Sequence, residues 1–176
     1  WGVRPLTSLA KTEPDYVEAE GPYDGRAWYG DIWTMRNLPV IFGLRDRGQD
    51  ELAAQLAWDT VKIFNANFAE YVTPSKGNGE GVERYGWSAS QYIQTVIEII
   101  FGIDYDAVNK RLSVAPLLVP DLRTRRIAIE GLRLPTPENS RLSLAIAPQK
   151  NGETEIDVTV ESVPLGVSLV IRLDGV

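Results

Sequence analysis

Two hydrophobic rhythms divide this chain. In the first part, apolar residues recur every three or four positions. Ala53, Ala57, Val61, Phe64 and Phe68 fall on one face of an amphipathic helix, with Asp50 placed to cap its start and the helix running to about Tyr71, before Pro74. An earlier helix is expected from Asp31, as N-cap, through about Arg47, with Gly48 ending it; Pro39 either kinks that helix or marks its first turn. Ser88 is placed to cap a third helix through about Phe101, closed by Gly102. Ile93, Val96, Ile97, Ile99, Ile100 and Phe101 wrap most of its circumference, which predicts deep burial that two helical neighbours cannot supply. Residues 1–30 carry Pro5, Pro14, Gly21-Pro22, Gly25 and Gly30 and read as irregular chain.

From Asn109 onward the period becomes two. Leu112 alternates with Val114, Ile127 with Ile129, and Leu132 with Leu134; Leu142, Leu144 and Ile146 are followed by Ile156, Val158 and Val160, and Val167, Leu169, Ile171 and Leu173 make a last strand. Asn151-Gly152 between two alternating runs is a hairpin signal. The expected fold class is therefore α + β, with helices first and then five or six short antiparallel strands forming a sheet or half a sandwich.

Composition narrows the chemistry. The 176 residues are 44% hydrophobic and 24% charged with net charge -6, so the chain reads as soluble and globular, with no basic cluster to meet nucleic acid or an anionic membrane. The run Tyr92–Gly102 is too short and polar to span a bilayer. The compartment stays open, with the cytoplasm favoured. There is no cysteine and no histidine, which excludes disulfides, thiolate metal sites, cysteine nucleophiles and Ser-His-Asp triads. Asp104-Tyr105-Asp106 lacks the glycine and terminal Glu of a calcium loop, so no metal is expected. Acid/base work must fall to Asp, Glu, Tyr or Lys.

The segment from Phe68 to Ala89 concentrates that chemistry. Glu70 sits at the expected helix end, where carboxylates are disfavoured by the helix dipole and a functional reason is invited. A glycine-rich loop with Gly77, Gly79, Glu80, Gly81 and Glu83 follows, then Tyr85, Gly86 and Trp87. Carboxylates beside aromatics, with no histidine, cysteine or basic cluster, match carbohydrate better than other ligands. Glu70, Glu80 and Glu83 are candidate bases or sugar ligands, against the plainer reading of solvated acids or partners for Lys76 and Arg84. Trp28, Trp33 and Trp87, with Tyr71 and Tyr85, are candidate sugar platforms, against core packing; two Trp across the Gly30 turn favour a pocket rim. Asp24, Arg26 and Arg36 are candidate hydroxyl ligands, and Asp31 reads as a cap.

These residues also resemble a known family. Gly2-Val3-Arg4-Pro5-Leu6-Thr7-Ser8 resembles the lead-in of glycosidases built on an (α/α)6 barrel. Tyr23-Asp24-Gly25-Arg26-Ala27-Trp28-Tyr29-Gly30-Asp31-Ile32-Trp33 resembles their aromatic turn, with Tyr29 and Asp31 standing where Arg and Pro are usual. Phe68-Ala69-Glu70-Tyr71, Pro74, Gly77 and Tyr85-Gly86-Trp87-Ser88-Ala89 resemble the loop of glycoside hydrolase family 63, whose neighbours are trehalases and amylo-1,6-glucosidases. The stretch Tyr105–Leu144 is similar to the β-sandwich that follows the barrel. The resemblance implies the last barrel helices in residues 1–104 and a C-terminal β domain in 105–176. It also implies an inverting hydrolase of α-linked glucosides or mannosides, acting on oligosaccharide without a cofactor. Glu70 matches the general base. The general acid belongs to an earlier loop with no match here, so the chain, which opens at Trp1, is expected to be a fragment that needs the upstream barrel segment and is inactive alone. Competing readings are a non-catalytic carbohydrate-binding or structural module, and a phosphorylase on the same barrel.

Overall fold

Helix α3 (Asp50–Ala66) is the spine of the first of two units, Trp1–Ile97 and Glu98–Val176. The computed structural model describes residues 5–21, 24–136, 138–149, 153–162 and 166–172. Ala53, Ala57, Val61 and Phe64 are buried along α3, as their spacing requires. The helix stops earlier than expected, however. Asn67 leaves helical geometry at φ -144°, so Phe68 is 37% exposed and Glu70 lies outside the helix. Asp50 is the first helical residue, where with Glu51 it meets the positive end of the dipole rather than capping by hydrogen bond.

Helix α1 is a single turn, Ala27–Gly30, and α2 spans Thr34–Asp46 and packs along α3. Pro39 sits inside α2. Asp31 corrects the cap expectation. Its φ,ψ of -82°,165° makes it the residue that ends α1, and Trp33 takes the N-cap position of α2. Between the two helices, Ile32 pairs with Val72 of β1 (Tyr71–Val72), which in turn pairs antiparallel with β2 (Gly79–Glu80). Helix α4 (Gly86–Gln94) continues into a π-helix, Thr95–Ile100. Thr95 Oγ1 donates to the Gln91 carbonyl at 2.8 Å where the ladder widens. Ile93 is 54% exposed, so the deep burial expected for this helix is not reached on that side.

The second unit holds two three-stranded sheets. One joins β3 (Ile103–Asp106), β4 (Arg111–Val114) and β8 (Ser168–Ile171); the other joins β5 (Ile127–Arg133), β6 (Arg141–Pro148) and β7 (Thr154–Glu161). A single-turn helix α5 (Pro120–Arg123) leads into β5. The expected wholly antiparallel arrangement is corrected at one pair. β4 and β8 run parallel, because the chain crosses the other sheet before it returns. Leu142, Leu144 and Ile146 of β6 are fully buried, worth roughly 2 kcal/mol each in apolar burial. The two alternating runs at Ile127 and Leu132 form one strand, with a register shift at Gly131, whose φ is +62°. β6 and β7 pair antiparallel from Pro148↔Thr154 inward; Asn151-Gly152, Leu173, Gly2–Arg4, Pro22 and Tyr23 lie outside the described residues. Among the described residues no helix is long and apolar enough to cross a membrane.

Candidate active site

The antiparallel bridge between Ile32 and Val72 builds the site. Ile32 N–H donates to Val72 O at 2.9 Å and Val72 N–H to Ile32 O at 3.0 Å. Side chains alternate about this pair. Ile32 and Val72 point into a cluster with Phe64, while Trp33 and Tyr71 turn to the opposite side with Ala19 and Ala27. Trp33 packs on Tyr71 at a tilt (ring centroids 4.9 Å apart, 32° between planes) and stacks on Trp28 (4.0 Å, 11° between planes). Trp33 also donates Nε1–H to the Ala27 carbonyl at 3.0 Å.

The result is a three-ring column with one open end. Trp28 is 45% exposed and Trp33 only 2%, which corrects the rim expectation for Trp33: it is buried beneath Trp28. Tyr71 is buried as well, and donates its hydroxyl to Gly21 O at 3.3 Å. Arg36 lies 5.9 Å from the Trp28 ring centre.

Glu70 precedes the column's inner member. It is half-buried; Oε2 accepts the Val82 N–H at 3.2 Å, and Ser88 Oγ donates to its backbone carbonyl at 2.8 Å. Gly81 crosses close above it with φ +78°. A Cβ there would stand 2.6 Å from Glu70 Oε2, 2.8 Å from Tyr71 Cε1 and 2.9 Å from Glu70 Cβ, so only glycine fits. Glu80 pairs directly opposite Tyr71. Burial first, then the charges of Asp31, Glu70, Glu80 and Asp24, push the Tyr71 hydroxyl up to about 12. Four carboxylates therefore act on this one ring.

Other candidates are engaged elsewhere. Asp24 accepts from Arg26 Nε, Arg26 Nη2, and the backbone N–H groups of Glu20 and Arg26, and this hydrogen bonding, Arg26 foremost, holds its carboxyl far below the usual range. Arg26 also reaches Glu20 at 3.2 Å. Trp87 is 54% exposed in the first turn of α4. Tyr85 is half-buried at the N-cap of α4. Glu83 lines an open groove of about 430 Å³ with Phe68, Gly79, Gly81 and Arg84. Among the described residues no group of three or more Asp or Glu is arranged to hold a metal ion. Asp106 accepts from the Asn109 side chain and from the N–H groups of Val108 and Asn109 in the β3–β4 turn.

Sequence reasoning missed one residue and read another only as a helix cap. Asn37, fully buried, exchanges hydrogen bonds with the Leu6 N–H and carbonyl and so ties the irregular leading segment to α2. Asp31 is the other. It is wholly buried, and burial above all, followed by the charges of Glu18, Asp24 and Glu80, pushes its carboxyl up to about 6 despite the opposing Ala19 hydrogen bond. The signal was present: Asp31 and Trp33 flank Ile32 at period two.

A family model for the mannosylglycerate hydrolase MGH1-like glycoside hydrolase domain matches residues 1–88, which contain the column, Glu70 and Gly81. The chain belongs to this family. Among relatives of the MGH1-like domain, a mannosylglycerate hydrolase of Thermus thermophilus is 35% identical over 91 residues, covering 51% of this chain and 21% of that protein. One of Rubrobacter radiotolerans is 30% identical over 74 residues, covering 42% and 17%. A crystal structure of a family 63 mannosylglycerate hydrolase from Thermus thermophilus in complex with Tris aligns with 34% identity and TM-score 0.45, covering 51% of this chain and 21% of that one. The matched region thus spans about a fifth of the length of these relatives.

Proposed function

We propose that this chain supplies the general-base side of an inverting glycoside hydrolase acting on an α-linked mannoside or glucoside. Mannosylglycerate is the favoured substrate, since the curated relatives carry that name. Glu70 is the base. The observation that carries the reading is its placement: a half-buried carboxylate, fixed by Val82 N–H beneath Gly81, beside a rigid Tyr71–Trp33–Trp28 column. Trp28, half exposed, meets the sugar ring at its uncovered edge, beside Arg36 at 5.9 Å, and Trp87 is a second exposed indole. The general acid comes from upstream sequence, across the roughly 6.5–9.5 Å gap that an inverting pair leaves for water. Glu70 takes a proton from that water as it attacks the anomeric carbon; the acid protonates the departing oxygen. No cofactor enters the reaction.

The helical part, 1–104, is read as the last helices of an (α/α)6 barrel and 105–176 as its sandwich-like β domain. The exposed Ile93 of α4 supports packing against further barrel helices. A hollow of about 210 Å³ lined by Leu112 and Leu169 from one sheet and Val158 and Val160 from the other supports the sandwich reading.

The test is Glu70→Gln in the full-length protein. Turnover of mannosylglycerate falls at least about a thousandfold, sugar binding persists, and the wild type releases product with inverted anomeric configuration by NMR. A Gln variant that turns over normally refutes the assignment. A wild type that binds sugar and never cleaves it returns the chain to the binding-module reading, and cleavage that requires phosphate returns it to the phosphorylase.

A further inference from the structure

Two buried oxygen atoms of the first unit have no hydrogen-bond partner among the described residues. Asp31 Oδ1 and Thr73 Oγ1 both lie inside, their residues 0% and 1% exposed, and neither makes a hydrogen bond. An orphaned buried polar atom costs about 1–3 kcal/mol, so two at one place need an explanation.

The register supplies it. Ile32 and Val72 exchange both backbone hydrogen bonds, so Trp33 and Tyr71 flank the bridge on one side and Asp31 and Thr73 flank it on the other, with all four side chains alternating to the face away from Ile32 and Val72. The contact of Trp33 with Tyr71 agrees with the alternation on this face. Hydrogen bonds already run almost all the way around the two residues. Asp31 Oδ2 accepts the Ala19 N–H at 3.0 Å. The next residue back, Glu18, accepts from Ser75 N–H at 3.0 Å and from the Ser75 hydroxyl, and Tyr16 donates to it at 2.7 Å. Ser75 lies two residues beyond Thr73. Ser8 fixes the Asp31 carbonyl through both its N–H (3.0 Å) and its hydroxyl (2.9 Å). Only the link from Asp31 to Thr73 remains to close the ring.

We propose that one buried water bridges the Thr73 hydroxyl and Asp31 Oδ1, accepting from the first and donating to the second, and that this link positions Glu70. The link clamps the end of β1, three residues from Glu70, at the root of the loop that carries Gly81 back over the carboxylate; Thr73 N–H to Asn78 O (2.9 Å) and Gly77 N–H to Thr73 O (2.8 Å) shape that root. The charges acting on Asp31 are the carboxylates of Glu18, Asp24 and Glu80, and the phenols of Tyr16 and Tyr71 feel its charge in turn. All three charges disfavour ionisation, so a donor on Oδ1 matters most once Asp31 is charged.

The positioning role rests on Glu70 being the base; the water link does not, and the experiment separates them. In the full-length protein, the Asp31 carboxyl is titrated by carbon-13 NMR in wild type, Thr73→Val and Thr73→Ser. Loss of the hydroxyl that anchors this donor raises the Val variant's midpoint by about one pH unit, while Ser keeps the wild-type value. With mannosylglycerate, the Val variant loses about tenfold in kcat with KM within about twofold, and Ser restores it. Thr73→Ala repeats both measurements without the added methyl should Val disturb folding. An unmoved midpoint in both hydroxyl-free variants overturns the link. A moved midpoint with unchanged kcat overturns the positioning role. If Glu70→Gln is fully active, the functional reading fails and the titration still decides the link.

Discussion

Replacing Gly81 by Ala tests the site through a contact that can be worked out atom by atom. At φ +78° any L-residue is strained by about 1–2 kcal/mol. The added methyl also has to displace Glu70 or Tyr71, whose atoms lie 2.6–2.9 Å from where it would stand. Tyr71 cannot retreat, because Trp33 packs against it at 4.9 Å between ring centres and is itself buried. The Glu70 carboxylate is the part that can move, and moving it breaks the Val82 hydrogen bond. Overpacking of this kind adds about 1–3 kcal/mol, for a total near 2–5 kcal/mol. Gly77→Ala provides the control. Its φ is +70° and nothing lies within 4 Å of the new methyl, so it carries the strain alone. The gain from a stiffer unfolded chain is the same in both variants and cancels. Urea unfolding of the two full-length variants should therefore differ by about 1–3 kcal/mol, and Gly81→Ala alone should lose kcat by about tenfold to a hundredfold. Equal losses of stability together with equal activity would refute the claim that Gly81 sets the carboxylate.

Three further outcomes rest on the same geometry. Trp33→Ala should destabilise by about 3–5 kcal/mol in denaturant unfolding, whereas Trp28→Ala should cost under about 1 kcal/mol and show itself as a raised KM. Asp31 titrates near 6 when folded against an ordinary 3.8, so between those values the native state holds the extra proton. Stability from this group is thus greatest below about pH 4 and declines by up to about 3 kcal/mol as pH rises to 6; Asp31→Asn should remove that slope in pH-dependent unfolding. Gly102→Ala should strongly destabilise the second unit, because its φ is +64° and the new methyl would run into the Ala115 carbonyl; thermal melts followed at that unit check it.

The helical pattern of α3 was legible because burial repeats at helical spacing, from Ala53 to Phe64. Its end was not, since Phe68 continues the rhythm while the backbone has already turned at Asn67. The β6–β7 pairing was legible from strict alternation. β1 and β2 were not, having two residues each and therefore no period to detect. In the proposed site, residue type and motif singled out Glu70 and Trp28 as candidates. The burial of Trp33 and the environment of Asp31 could not be read this way, because both depend on a bridge between positions about forty residues apart, Ile32 and Val72. The parallel partner of β4 was likewise hidden, as pairing direction leaves no mark on hydrophobic alternation.

That parallel pairing has a consequence for biosynthesis. β4 ends at Val114 and its second neighbour starts at Ser168. While the ribosome is still adding the intervening strands, one flank of β4 offers bare N–H and C=O groups to any extended chain nearby. The three-stranded sheet can close only after a long loop has been drawn together, a late and entropically unfavourable event. Crowded expression or slow elongation across this stretch should favour intermolecular strand exchange over correct closure.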